Sequence, residues 1–391
     1  MFFGVALAIV GGMHFYIWTR LVRDTDVGEP WRRLLTVGIA AAAVAIPVAF
    51  VAMRARSGAL ADGFVFGAML WMGVAFLLLS SLVLVDLGRL AVSGVGALAD
   101  WLRHAPEAPP DPERRRLVAR AVAGGAVLVA GGAAAYSVSS ALGDPQIHEV
   151  PVRLERLPRA LSGLTIAQIT DLHVGRTIGE EEVRRVVEET NRLRPDLVAI
   201  TGDLVDGSVR MLERAVAPLA GLQSRYGTFF VTGNHEYYSG VNAWEEHLRR
   251  LGMRVLRNER VSVGDAGASL DLAGIDDWRS AGMAPGHLGP DLPGALAGRD
   301  PERALVLLAH QPRGVEEAAR AGVELQVSGH THGGQIFPFT LATALVYPYL
   351  HGLYRVRDGN GSQIFVSRGT GYWGPPMRLG SPPEIARIVL A

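Results

Sequence analysis

Five places in this sequence put His, Asp or Asn directly behind a short apolar run. They are Asp171-Leu172-His173, Gly202-Asp203-Leu204-Val205-Asp206, Gly233-Asn234-His235-Glu236, His310 and Gly329-His330-Thr331-His332. Side chains two apart on extended backbone point the same way, so Asp-x-His and His-x-His each offer two groups to one cation or to two adjacent cations. Imidazole mixed with carboxylate suits zinc, manganese, iron or cobalt better than magnesium or calcium, which favour all-oxygen shells. The chain has no cysteine, which removes thiolate nucleophiles, disulfides and cysteine-held zinc or iron-sulfur sites.

The residues must converge if they are to act together, and the elements around them can bring this about. Strands are expected at 164–169, 197–201, 228–232, 270–275, 304–309, 324–327, 363–367 and 385–390. Helices are expected at 180–193, 209–219, 243–251 and 314–321, several with Glu near the start and Arg near the end. Residues 280–299, rich in Gly and Pro, read as a long loop. The pattern is that of a mixed α/β domain, in which ligands sit at the carboxyl ends of strands. Gly202, Gly233 and Gly329 allow turns where a side chain would not fit.

In order and at every ligand position, these motifs resemble the calcineurin-like metallophosphoesterases, over about residues 163–390. Ser328 to Gln335 and Gly369 to Pro376 look like that family's membrane-associated bacterial branch. The resemblance implies a four-layer αββα sandwich with two divalent ions, manganese, iron or zinc. One metal would be held by Asp171, His173, Asp203 and His332, and the other by Asp203, Asn234, His310 and His330, with Asp203 bridging. His235 would protonate the leaving group, and Asp206 would fix its tautomer. Two ions roughly 3.5–4 Å apart can share a water, lower its pKa toward neutrality and clamp phosphoryl oxygens, so hydrolysis of phosphate mono- or diesters by a metal-bridging hydroxide is the implied reaction. Arg176, Arg368 and Arg378 are candidates to grip a phosphate, Arg378 foremost. Tyr237, Tyr372 and Trp373 either wall the pocket or pack inside the fold.

The amino-terminal part is a different material. Of the whole chain 49% is hydrophobic, and the excess lies before residue 145. Residues 1–18, 34–53, 63–85 and 121–142 carry no formal charge, and each is close to the roughly 20 residues that cross a bilayer as a helix. The expected organisation is a membrane domain at 1–145 with four transmembrane helices, then the phosphoesterase domain at 146–391. The first span reads as a retained helix rather than a cleaved signal. Gly124 and Gly131 suggest close helix packing, Trp18, Trp31, Trp71 and Trp101 suggest interfacial anchors, and residues 104–112 read as an extended linker.

Arg20, Arg23, Arg32 and Arg33 follow the first span, and Arg89, Arg103, Arg114, Arg115, Arg116 and Arg120 follow the third. Only Arg54 and Arg56 fall between spans two and three, which puts the first and third connections in the cytoplasm and the catalytic domain outside it. The 38 basic and 38 acidic residues cancel, so no polybasic field invites nucleic acid. The sequence therefore reads as a multi-pass bacterial cell-membrane protein that acts on a phosphoester, one with a lipid portion being an option. Two other readings remain: a UDP-2,3-diacylglucosamine-type pyrophosphate hydrolase of lipid metabolism, which requires a cytoplasmic domain, and a non-catalytic membrane sensor or transport protein whose domain only binds its ligand.

Overall fold

The computed structural model describes residues 2–53, 58–103, 111–357, 359 and 361–391. Arg54, Arg56 and residues 104–110 of the expected linker lie outside them, as does the side chain of Trp101. The chain divides into two compact units, Met1–Ser139 with Pro375–Met377, and Ser140–Gly374 with Arg378–Ala391.

The first unit is helical: α1 (Phe2–Trp18), α2 (Trp31–Ala52), α3 (Ala59–Arg103) and α4 (Pro112–Leu142). These four helices are long and apolar enough to cross a membrane. α3 contains the expected span at 63–85 and extends beyond it: its 45 residues rise about 68 Å, more than twice the ~30 Å hydrocarbon thickness. Asp86, just past the uncharged run, accepts from Tyr16 at 2.6 Å and from Arg20 at 2.6 Å, joining α3 to α1 and to the turn that follows it. Trp71 is not an end-of-helix anchor, because its indole donates to His14 at 2.9 Å between two helices. Among the described residues, no atom outside the helix's own backbone lies within 4 Å of where a Cβ on Gly124 or Gly131 would sit, so the expected close packing is not seen there. α4 starts at the end of the expected linker, where Asp111 caps it by accepting from the backbone of Glu113 and Arg114.

The second unit runs β1 (Gln146–Val152), β2 (Thr165–Ile169), α5 (Glu180–Arg192), β3 (Leu197–Thr201), α6 (Val209–Val216), β4 (Thr228–Val231), α7 (Asn234–Ser239), α8 (Val241–Arg250) and β5 (Arg254–Val255). It continues with β6 (Glu259–Asp265), β7 (Ala268–Gly274), α9 (Leu292–Leu296), β8 (Leu305–Leu308), α10 (Val315–Arg320), β9 (Leu325–Ser328), α11 (Phe339–Val346), β10 (Gly352–Arg355), β11 (Gln363–Val366) and β12 (Glu384–Leu390). Two six-stranded sheets form, in the orders β1-β12-β2-β3-β4-β5 and β10-β11-β9-β8-β7-β6.

Period-two alternation on doubly buried strands explains the layering. Ile166, Ala199, Phe229, Val231, Val306, Leu308 and Phe365 fill the core between the sheets. Their neighbours Ala167, Ile169, Val198, Ile200 and Phe230 face the other way, onto Val183, Val186, Val187, Leu212, Trp244 and Leu248 of α5, α6 and α8. Across the second sheet Ala273, Leu305 and Leu307 cover α9 and part of α10, and Ile364 and Val366 cover the rest of α10. The result is a helix, sheet, sheet, helix sandwich in which β2, β3, β4, β8 and β9 end at a common edge.

Candidate metal centre

The ends of β2, β3 and β9 turn sharply. Asp171, His173, Asp203, His330 and His332 all have positive φ, between 50° and 72°, a region that side chains rarely occupy. Such conformations cost of order 1–3 kcal/mol each and persist where surrounding structure holds them. Here they fold the backbone back after these three strands and aim the side chains inward. The close approach also fixes residue size. A Cβ on Gly233 would strike the Asp203 carboxylate and backbone nitrogen, and one on Gly329 would strike Thr170 and the Asp171 carboxylate.

Six of the seven expected ligands, with His235, form three overlapping groups whose ligand atoms lie within 4.8 Å of one another: Asp171, His173, His332; His173, Asp203, His235; Asp203, His310, His330. His173 Nε2 and His332 Nε2 are 3.1 Å apart, and His332 Nε2 is 3.5 Å from Asp171 Oδ1. On the other side His310 Nε2 lies 3.1 Å from Asp203 Oδ2 and 3.1 Å from His330 Nδ1. Asp203 Oδ2 is also 3.9 Å from His173 Nε2, so its carboxylate stands between the two groups.

The opposite ring nitrogens are tied back, which decides which nitrogen is free. His310 Nδ1 donates to the Thr201 carbonyl at 2.8 Å, and His330 Nε2 is 3.0 Å from the Tyr347 hydroxyl. Asp206 Oδ1 accepts from His235 Nδ1 at 2.5 Å and from His173 Nδ1 at 3.2 Å. One carboxylate oxygen thus sets two imidazoles, one of them a ligand candidate, a double role that the spacing of Gly202-Asp203-x-x-Asp206 did not reveal. Asn234 Oδ1 is buried without a hydrogen-bond partner, and a buried amide oxygen left bare fits a cation ligand. Donor set, convergence and bare oxygen all fit a pair of divalent ions.

Electrostatics agree with these roles. Burial, and then the charge of Arg378, hold His332 well below the ordinary imidazole range, while burial and the cation of His310 bring His330 down to about 3. Both rings are therefore neutral, as ligands must be, whereas burial of His310 is outweighed by the Asp203 carboxylate, which holds that ring protonated well above the ordinary range until a cation takes the proton's place. Burial opposes a charged His235, but the hydrogen bond it donates to Asp206 and the charges of Asp203 and Asp206 outweigh it and raise the ring to about 9. A protonated ring at neutral pH is what a general acid needs.

Glu236, given no role by its place in the motif, is fully buried. It accepts from the backbone of Gly233 at 2.6 Å, Leu204 at 2.8 Å and Asp203 at 3.0 Å, so one side chain pins two ligand loops together. The Glu three residues after Gly233 is a capping-box spacing, a local signal for this contact.

Arg378 corrects the expected phosphate grip. It has no exposed surface, and its guanidinium donates to the carbonyls of His332 at 3.0 Å, Arg368 at 2.7 Å, Ser381 at 3.3 Å and Gly371. Its Nη2 also lies 3.1 Å from His332 Nδ1, so it locks the His332 loop to the terminal loop. Arg368 is paired with Glu384 at 2.6 Å, and Arg176 is half-buried. Tyr237 and Tyr372 are buried, bonded to Thr232 and to the Thr177 carbonyl, whereas Trp373 and Tyr238 are exposed with ring centres 5.7 and 5.5 Å from that of His235.

A sequence model of the calcineurin-like phosphoesterases matches residues 164–334. A "Transmembrane protein with metallophosphoesterase domain" from Danio rerio is 39% identical over 76% of this chain and 67% of its own length. An "Uncharacterized metallophosphoesterase" of Helicobacter pylori is 40% identical over 64% of this chain and 65% of its own. Another from Aquifex aeolicus is 36% identical over 63% of this chain and 91% of its own. The chain thus spans about two thirds of the zebrafish and Helicobacter relatives, and related sequences occur in vertebrates as well as bacteria.

Proposed function

Since the chain belongs to the calcineurin-like metallophosphoesterases, we propose that it hydrolyses phosphate mono- or diesters at the centre between Asp171 and His332, while anchored in a membrane by α1–α4. Asp171, His173, Asp203 and His332 would hold one divalent ion, and Asp203, Asn234, His310 and His330 the other. When bound, the ions supply a nucleophile from water at neutral pH and neutralise phosphoryl charge.

The chain's own residues do the rest. His235 carries its proton on Nε2 toward the reacting group, with Nδ1–H held by Asp206, and gives that proton to the departing oxygen. General acid catalysis of this kind contributes roughly a hundredfold to ten-thousandfold. Asp206 then stabilises the arrangement of His235 and His173 together, and Glu236 keeps the loops of Asp203 and Asn234 from drifting. Exposed Trp373 and Tyr238 flank His235 and offer apolar surface to the leaving group.

The observation that carries this reading is the grouping of Asp171, His173, Asp203, His310, His330 and His332 within ligand distance of one another, together with the bare buried oxygen of Asn234. Full-length protein in detergent should hydrolyse bis(p-nitrophenyl) phosphate or p-nitrophenyl phosphate with added manganese, zinc or iron, and Asn234→Ala or His235→Ala should abolish it. No turnover with any of the metals, or equal turnover by the variants, would favour a domain that binds without reacting. The Arg distribution supports a multi-pass arrangement with the domain outside the cytoplasm. A carboxy-terminal alkaline phosphatase fusion should then be active. An inactive one, with a fluorescent green fusion in its place, would favour the nucleotide pyrophosphate substrate.

A further inference from the structure

One helix of the second unit is built inside out. α5, α6, α8 and α10 each carry three or more charged residues and turn apolar residues inward. α11, Phe-Thr-Leu-Ala-Thr-Ala-Leu-Val, has no charge, and the residue it buries is Thr343. Leu341, Leu345 and Val346 are 61%, 90% and 69% exposed, and Phe337 and Phe339 are exposed beside them. From Leu325 to Tyr354 no Asp, Glu, Lys or Arg occurs. A contiguous apolar face of this kind on a folded domain marks a surface that meets another apolar phase.

The patch is tied to the ligand loops. Tyr347, directly after α11, holds His330 through its hydroxyl, and Thr331 Oγ1 donates to the Leu350 carbonyl at 2.6 Å. Gln335 exchanges two hydrogen bonds with the backbone of Trp373, at 2.9 and 3.0 Å. The exposed rings of Trp373 and Tyr238, beside His235, are of the amphipathic type that favours the boundary between lipid and water. The same chain supplies a reason for a bilayer to be close by. α4, long and apolar enough to cross a membrane, ends at Leu142, and β1 begins at Gln146.

We propose that α11 and its flanking residues form a membrane-contact surface, with Phe337, Phe339, Leu341, Leu345 and Val346 seated in the lipid interface. An uncharged apolar helix bound in this way needs no anionic lipid, since burial of hydrocarbon drives it. The surface stands independently of the reaction proposed above.

The absence of cysteine makes the test clean. Leu341→Cys, Leu345→Cys and, as a polar control on α8, Glu246→Cys are made singly in the full-length chain, nitroxide-labelled and placed in vesicles of phosphatidylethanolamine and phosphatidylglycerol. Each labelled chain must keep the unfolding midpoint of the parent. Oxygen collisions several-fold above those with a water-soluble nickel chelate at 341 and 345, with the reverse at 246, are the expected result. Nickel access at 341 and 345 equal to that at 246 would overturn the proposal, as would protection from both reagents, which marks burial against protein. Dipolar broadening that vanishes on dilution with unlabelled chain would assign the surface to a second copy and overturn it too.

Discussion

Asp206→Asn tests how the centre is organised, because it keeps the shape of the side chain and removes its charge. Asp206 Oδ1 accepts from His235 at 2.5 Å and from His173 at 3.2 Å. Hydrogen bonds to a charged partner contribute about 1.5–3 kcal/mol each. An amide oxygen keeps part of that, so a loss of about 3 kcal/mol across the pair is expected, or roughly a hundredfold in kcat/KM at 1.36 kcal/mol per tenfold. The loss should depend on the ester. With a poor leaving group both imidazoles matter, whereas with 2,4-dinitrophenyl phosphate the proton from His235 is hardly needed and the loss should shrink. Metal affinity should also fall, by roughly tenfold to a hundredfold, through His173. Steady-state kinetics on the two esters, with a metal titration, measure all three effects. A variant that hydrolyses the poor-leaving-group ester at the parent rate would refute the double role of Asp206.

Arg378→Ala should strand carbonyls at Arg368, Gly371 and Ser381, at about 1–3 kcal/mol for each left unpaired, and lower the unfolding midpoint; Arg378→Lys, with three donors, should recover part of it. A midpoint unchanged in Arg378→Ala would contradict the clasp. Gly233→Ala should lose metal and activity together because the added methyl meets the Asp203 carboxylate, and retention of both would show that the loop has room to move. His287 is buried and donates from Nε2 to Asn242 at 2.7 Å while Nδ1 accepts from Arg257 at 2.8 Å. Burial, and then the Arg257 cation, lower its pKa. The unfolded chain then binds the proton more readily, so stability should rise with pH and be lost as pH falls below about 6.5 toward the lowered value. Unfolding midpoints at pH 7.5 and 5.0 check this, and a difference that survives unchanged in His287→Gln would assign the effect elsewhere.

The strand ends were the most legible part, because buried parallel strands leave short apolar runs and the polar residues after them stand out. β2, β3, β4, β8 and β9 fall within a residue of where the runs place them. Elements without such contrast escaped. β6 and β10 alternate weakly at an edge, α7 hides inside the Asn234 motif, α9 sits in a Gly- and Pro-rich segment that reads as loop, and α11 lacks an amphipathic face of the ordinary sense. Ligand identity was readable because each residue type reports its own chemistry. What orients the ligands was not. Tyr347, Glu236 and Arg378 act through contacts set by backbone turns with positive φ, and neither spacing nor composition encodes where a guanidinium finds its carbonyls. Arg378 shows the point: a charge near a motif suggests a phosphate partner, and only its complete burial redirects it to the loop.

Metal content of the purified full-length chain, measured by plasma emission after equilibration with manganese or zinc, bears most directly on the convergence around Asp203. Two divalent ions per chain are predicted, falling to about one in Asn234→Ala and toward none in Asp203→Ala. A parent that binds no ion, or an Asp203→Ala chain that keeps both, would contradict a shared centre built from these strand ends.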